Sequence, residues 1–166
     1  MENIEFGLAT QKDREQLMDY FRHYKVDELI ERRVDCYTSH SFTVVARDGD
    51  RIVGTIQWHV KEDPYTGVAE FEEFHVLEEH RDRGIGSSLI GHAIQSVKDY
   101  FEKIGIQPKT IFLFVSEGNT AARDLFEKHG FQLASKIGHL FSDDEVELLY
   151  SLKFWPKRLS PSTLAF

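Results

Sequence analysis

The sharpest constraint in this sequence is the point at which its hydrophobic pattern changes. An extended run of apolar and acidic residues, 69–77, gives way through Arg81-Asp82-Arg83-Gly84-Ile85-Gly86 to a helical pattern over residues 84–104. In that pattern Ile85, Leu89, Ile90, Ala93, Ile94, Val97, Phe101 and Ile104 share one face, and Gly105 and Pro108 are placed to end it. A strand, a glycine-bearing turn and a helix, in that order, leave the first N–H groups of the helix without partners inside it. The glycines let a ligand come close to the main chain, so an anion such as a phosphate fits there. The main-chain N–H groups of residues 83–87 would hold it, with Arg81 and Arg83 adding charge. A carboxylate beside phosphates is tolerable only if it faces solvent, which assigns that orientation to Asp82.

A second segment, Asn119-Thr120-Ala121-Ala122-Arg123-Asp124-Leu125-Phe126-Glu127-Lys128-His129-Gly130-Phe131, follows further along the chain. The first loop resembles the Arg/Gln-x-x-Gly-x-Gly/Ala signature of the GCN5-related N-acetyltransferase (GNAT) superfamily, matched by Arg81, Gly84 and Gly86. The second is similar to that family's Asn-x-x-Ala-x-x-Leu-Tyr/Phe-x-x-x-Gly-Phe segment, matched by Asn119, Ala122, Leu125, Phe126, Gly130 and Phe131. The resemblance covers residues 41–131. It implies an α/β single-domain fold: a mixed, mostly antiparallel twisted sheet flanked by about four helices, with central strands splayed to hold acetyl-CoA. It also implies that Arg81, Arg83, Gly84, Ile85, Gly86 and Ser87 bind the pyrophosphate of acetyl-CoA, and that the backbone of Phe74, His75 and Val76 binds the acetyl carbonyl and pantetheine. Asn119 would reach the pantetheine or an ordered water near the thioester, besides capping its helix. Phe126 stands where many relatives carry a tyrosine that protonates the leaving thiolate. Phenylalanine has no proton to give, so its expected role is packing against the cofactor or the core, leaving Tyr150, Tyr65, Ser116 or water as candidate acids.

The strand before the loop contains Glu70, Glu72 and Glu73, three carboxylates that something must compensate if the strand is central. Period two puts Glu70, Glu72, Phe74 and Val76 on one face and Phe71, Glu73 and His75 on the other. The resemblance implies that a glutamate upstream of the acetyl site is the general base. Glu72 is the preferred candidate and Glu70 the alternative.

At 166 residues and 41% hydrophobic content, one domain over residues 1–154 with a tail over 155–166 is expected. The aromatic ends of that tail suggest a contact with a second copy, a homodimer. The balance of 20 Lys and Arg against 28 Asp and Glu, a net charge of −8, argues against nucleic acid as a partner. No run is long enough to span a membrane, and residues 1–5 carry no signal-peptide core, so a cytoplasmic location is expected. The eight histidines form no spaced pair and there is one cysteine, Cys36, read as a small apolar helix residue; no metal site is expected.

Elsewhere the pattern predicts a strand at 4–9, a helix at 10–24 capped by Thr10, and a helix at 26–37 with Leu29, Ile30, Val34 and Tyr37 inward. A hairpin is expected around Asp48-Gly49-Asp50, with strands at 41–47 and 51–60, and further strands at 68–77, 110–115, 131–140 and 146–152. Together these features imply an acetyl-CoA-dependent N-acetyltransferase that works by direct attack of a primary amine within a ternary complex. A small cationic amine is favoured over a peptide amine as acceptor. The alternatives are a non-catalytic CoA-binding module of the same fold and a Rossmann-type nucleotide binder. The second is disfavoured because the Gly-x-Gly follows several strands and lacks a third glycine.

Overall fold

Aspartate and glycine at positions 48–50 close the predicted hairpin, with Gly49 at φ 57 in its turn. A computed structural model describes residues 4–24 and 27–154. Its strands are β1 (Ile4–Leu8), β2 (Phe42–Asp48), β3 (Arg51–Val60), β4 (Val68–Val76), β5 (Thr110–Ser116), β6 (Gln132–Gly138) and β7 (Val146–Lys153). Its helices are α1 (Arg14–Tyr20), α2 (Asp27–Ser39), α3 (Ile85–Lys103) and α4 (Thr120–Lys128). The seven strands form one sheet in the order β1-β2-β3-β4-β5-β7-β6, antiparallel throughout except for the parallel pair β4 and β5. This is the mixed, mostly antiparallel sheet expected from the sequence.

Apolar residues cover both faces of the sheet. On one face α3 and α4 bury Leu89, Val97, Phe101 and Phe126 against Ile56, Trp58, Phe71 and Leu113. On the other, α1 and α2 bury Leu17, Phe21, Ile30 and Val34 against Val45 and Ile52. The long helix begins where Gly84 adopts φ 78, a left-handed conformation that glycine enters without a Cβ clash. Thr10 caps as predicted, accepting from the Lys12 N–H and forming a reciprocal box with Asp13. The predicted helix after it is broken into a 3-10 turn, α1 and a second 3-10 turn.

Two inward assignments need correcting, and Cys36, a helix residue as read, is an exposed one. Leu29 is 60% exposed, because the buried stripe of α2 runs through Ile30, Val34 and Tyr37. Ile104 is 44% exposed because α3 stops at Lys103. Val26 and the tail 155–166 lie outside the described residues.

The strand that matters most is irregular. Gln57 pairs with Glu72 and Thr55 with His75, so Glu73 and Phe74 together stand opposite Ile56 alone. Glu73 takes φ 40, which reverses the side-chain alternation. Phe74 therefore joins Phe71 and Val76 on the α3 face, while Glu73 and His75 reach α1 and α2 on the face of Glu70 and Glu72. Strict period two predicted Glu73 beside Phe71; the bulge overturns that. Pairing of β4 with β5 ends at Phe71 and Leu113, and β5 continues alone with β7 to Ser116. The central strands splay from there.

Close packing of α3 on β3 depends on Gly54, where an added Cβ would meet Leu89 Cδ1 at 2.9 Å and Val76 Cγ2 at 3.3 Å. Gly54→Ala should cost about 1–3 kcal/mol by overpacking, a fall of several degrees in Tm. Gly7→Ala, whose Cβ meets nothing within 4 Å, is the control and should leave Tm nearly unchanged. Thermal unfolding of both variants reads the difference.

Candidate active site

The turn from β4 into α3 forms one wall of a cavity of about 580 Å³. Phe74, His75 and Val76 line it from the strand, Arg81 and residues 84–87 from the turn and first helical residues, and Asn119 from the start of α4. No side chain caps α3, so its opening N–H groups are left for a ligand. That is a fit for a phosphate at the cavity wall. Lys128 also lines the cavity and adds positive charge. Arg81, though exposed, donates from Nε to the Val76 carbonyl at 3.0 Å and so ties the turn to the strand. Arg83, expected beside it, is not among the lining residues. Asp82 does line the cavity, at φ 59.

Gly86 has a reason beyond ligand approach. A Cβ there would meet Phe74 Cζ at 3.0 Å and Leu125 Cδ2 at 3.1 Å, so the glycine lets α3 sit against both β4 and α4. Ser87 Oγ lies 2.8 Å from His129 Nε2, and burial pushes the His129 imidazole below its ordinary pKa, favouring the neutral ring.

Where β4 and β5 part, a second cavity of about 270 Å³ opens, and it shares Phe74, Asn119 and Ala122 with the first. The two adjoin across these shared residues and together make up the cleft. Glu72 lines the second cavity; Glu70 lines neither. The reason is register: Glu70 is still paired with Phe112 of β5, one step below the splay. Its carboxylate lies 3.3 Å from Lys61 Nζ. Glu73 is held by Arg33 at 2.6 Å and accepts from the Tyr37 hydroxyl at 3.5 Å. His75 Nδ1 is 2.8 Å from the Tyr20 hydroxyl, which also donates to the His75 carbonyl at 3.1 Å.

Asn119 accepts from the Ala122 N–H at 3.2 Å while lining both cavities, so capping and a place in the cleft coexist. Phe126 lines the second cavity, with the rings of Phe74 and Phe131 each 5.5 Å from its own. Of the candidate acids, Ser116 lines the second cavity, Tyr65 is exposed on a turn, and Tyr150 is buried with its hydroxyl donating to Glu127 at 2.6 Å. Sequence reasoning missed Glu147. It stands on β7 opposite Ser116, is buried, and lines the second cavity; burial, then the like charge of Glu145, raises its pKa. Its signal was a lone carboxylate in an otherwise apolar strand.

One grouping of metal-ligand residue types occurs among the described residues, His59 with Glu70 and Glu72, whose ligand atoms lie within 4.8 Å of one another. The ring's nearest contacts use different nitrogens: Nδ1 is 3.6 Å from Glu72 and Nε2 is 3.6 Å from Glu70. That is a bridge between two carboxylates, not three atoms converging on an ion. Across from Glu72, the Gln57 amide is fully buried with neither its oxygen nor its nitrogen partnered.

This arrangement has counterparts. YjcF of Bacillus subtilis (strain 168), named an uncharacterised N-acetyltransferase, is 27% identical over 133 residues, covering 75% of this chain and 84% of the relative. Among solved structures, an aminoglycoside 6'-acetyltransferase of type Ii superposes with a TM-score of 0.76 at 17% identity, covering 92% of this chain and 99% of the other. An aminoglycoside 6'-N-acetyltransferase complexed with coenzyme A superposes with a TM-score of 0.74 at 16% identity, covering 92% and 98%. The pattern described as the acetyltransferase (GNAT) family matches residues 9–131, from the cap of the first helix to the phenylalanine after α4. A splayed sheet, an uncapped helix at the cleft and a match over most of the sequence lead to one conclusion: this chain belongs to the acetyltransferase (GNAT) family.

Proposed function

We propose that the protein transfers the acetyl group of acetyl-CoA directly to a primary amine, with Glu72 as the general base and a small cationic amine as the preferred acceptor. The observation that carries this reading is the pair of adjoining cavities, with an uncapped helix start lining one and a carboxylate, Glu72, lining the other. The coenzyme A complex of a structural neighbour supports the same cofactor here. The pyrophosphate would rest on the N–H groups of residues 85–87, and the acetyl end would lie in the splay beside Phe74 and Asn119.

An amine arrives as an ammonium ion and must lose a proton before it can attack the thioester. Glu72 is the carboxylate of the notional pair that faces the cleft, so it takes that proton, and Glu70 does not. Glu72 and Glu147 give the acceptor end of the cleft negative charge, which favours cationic acceptors. Coenzyme A leaves as a thiolate and takes a proton from water or Ser116. One observation favours a second reading: Phe126 has no proton to give, as suits a CoA-binding module without turnover. A thiol-release screen of acetyl-CoA against a panel of amines separates the two, and release with cationic amines is the expected result.

Ser87 is the third residue of α3, where an aspartate suits the positive end of a helix. Ser87→Asp should therefore leave Tm unchanged yet abolish acetyl-CoA binding by placing charge against the diphosphate. Calorimetric titration checks it, and unchanged affinity would remove the phosphate assignment. Glu72→Gln should lower kcat by about 10²-fold or more with acetyl-CoA affinity preserved. Steady-state kinetics beside the same titration test that, and an unaltered kcat would take the base role from Glu72.

A further inference from the structure

Glu70 lies outside both cavities and has no task in the proposed reaction, and the imidazole between it and Glu72 supplies one. We propose that His59 is a relay residue acting through Glu72: it accepts at Nδ1 the proton that Glu72 takes from the acceptor ammonium, while Glu70 holds the other ring proton on Nε2. This rests on the reading of Glu72 as the base.

The geometry is asymmetric in the way a relay needs. Glu72 faces the cleft, with its side chain 44% exposed, whereas Glu70 is 12% exposed and lies where β4 and β5 are still paired. His59 pairs with Glu70 across the two strands, and its ring reaches along the sheet face to Glu72. Each nitrogen is 3.6 Å from its carboxylate, longer than a hydrogen bond. Contacts of this kind commonly tighten when a substrate completes the site. The charged groups facing the ring are Glu70 and Glu72 from β4, with Lys61, just past the end of β3, set against Glu70. From α2, Arg33 is engaged with Glu73, so its charge is directed there.

The proton balance closes. Glu72 carboxylate takes one proton from R–NH₃⁺, giving R–NH₂ and a neutral carboxylic acid. That acid passes the proton to the Nδ1 lone pair, which restores the Glu72 carboxylate and forms an imidazolium flanked by two carboxylates. The Nδ1 proton then leaves to bulk water at the exposed edge of the ring, and Nε2–H stays with Glu70 throughout. A base whose partner is fixed in one tautomer by a third group follows the logic of nucleophile, base and orienting carboxylate. The same cluster would serve a divalent cation poorly, since the ring turns its two nitrogens to different carboxylates and Lys61 competes for one of them.

The test is the pH dependence of kcat/KM for the amine in the parent, His59→Gln and Glu70→Gln, with KM for acetyl-CoA measured alongside. His59→Gln should be slower by about tenfold or more near neutral pH. The deficit should shrink as pH rises through about 10.4, the ordinary pKa of an alkyl ammonium, where a growing share of the amine arrives already deprotonated. KM for acetyl-CoA should not move. Glu70→Gln should show a smaller deficit with the same pH signature, and imidazole added to His59→Ala should restore part of the rate. A deficit equal at every pH, or none at all, would overturn the relay, as would parent activity that is lost on chelation and restored by zinc. A parent that releases no thiol with any amine would overturn acetyl transfer itself, a different failure from an active parent whose His59 variant has an unchanged profile.

Discussion

The structure turns on one extra residue in β4. Two residues of that strand, Glu73 and Phe74, stand against a single residue of β3, and this bend lies just past Phe71, where pairing with β5 ends. From that bend onward β4 is paired on one side only. Main-chain polar groups in a protein interior need partners, and under the proposed function a ligand lying along the strand would supply them. The α3 end of the cleft is tied to the same strand, because Val76 ends β4 and its carbonyl anchors Arg81 in the turn that launches α3. Backbone strain of about 1–3 kcal/mol at Glu73 is offset by its pairing with Arg33 and Tyr37.

Charge is distributed between the faces of the sheet with the same economy. The α3 face of β4 is apolar, with Phe71, Phe74 and Val76 against α3 and α4. All three carboxylates of the strand turn to the other face, and each meets a potential cation: Glu70 meets Lys61 and His59, Glu72 meets His59, and Glu73 meets Arg33. Glu72 and Glu73 both combine such a contact with a place in the cleft wall, but Glu73 is held by Arg33 at 2.6 Å with its side chain 16% exposed, against 44% for Glu72. A buried charge without a partner is costly, so a central strand can carry three glutamates because the surrounding elements neutralise them. One of the three is left positioned for proton chemistry.

Much of this was legible in the sequence, for identifiable reasons. The two motif segments, the hairpin at residues 48–50 and the period of α3 are local signals, and local signals survive folding. Thr10 as a cap and Gly84 at the helix start are of the same kind. The bulge was not legible, because a period-two reading runs through an inserted residue and misassigns everything beyond it, as it did for Glu73 and Phe74. Glu147 and His59 were invisible as site residues because their relation to Glu72 is made by strand register, not by spacing along the chain. Gly86 was read for ligand approach alone, while its crowding against Phe74 and Leu125 comes from a helix and a strand distant in sequence. Arg83, read as adding charge beside the loop, is not among the residues that line the cavity.

Titration of the ¹⁵N-labelled protein with coenzyme A, followed by amide chemical shifts, would locate the ligand without any assumption about turnover. The largest shifts should fall on residues 84–87, on Phe74 to Val76 and on Asn119, with little change on the far side of α3 around Tyr100. Shifts concentrated away from the α3 start and the splay between β4 and β5 would contradict the cleft described here, whatever activity the protein proved to have.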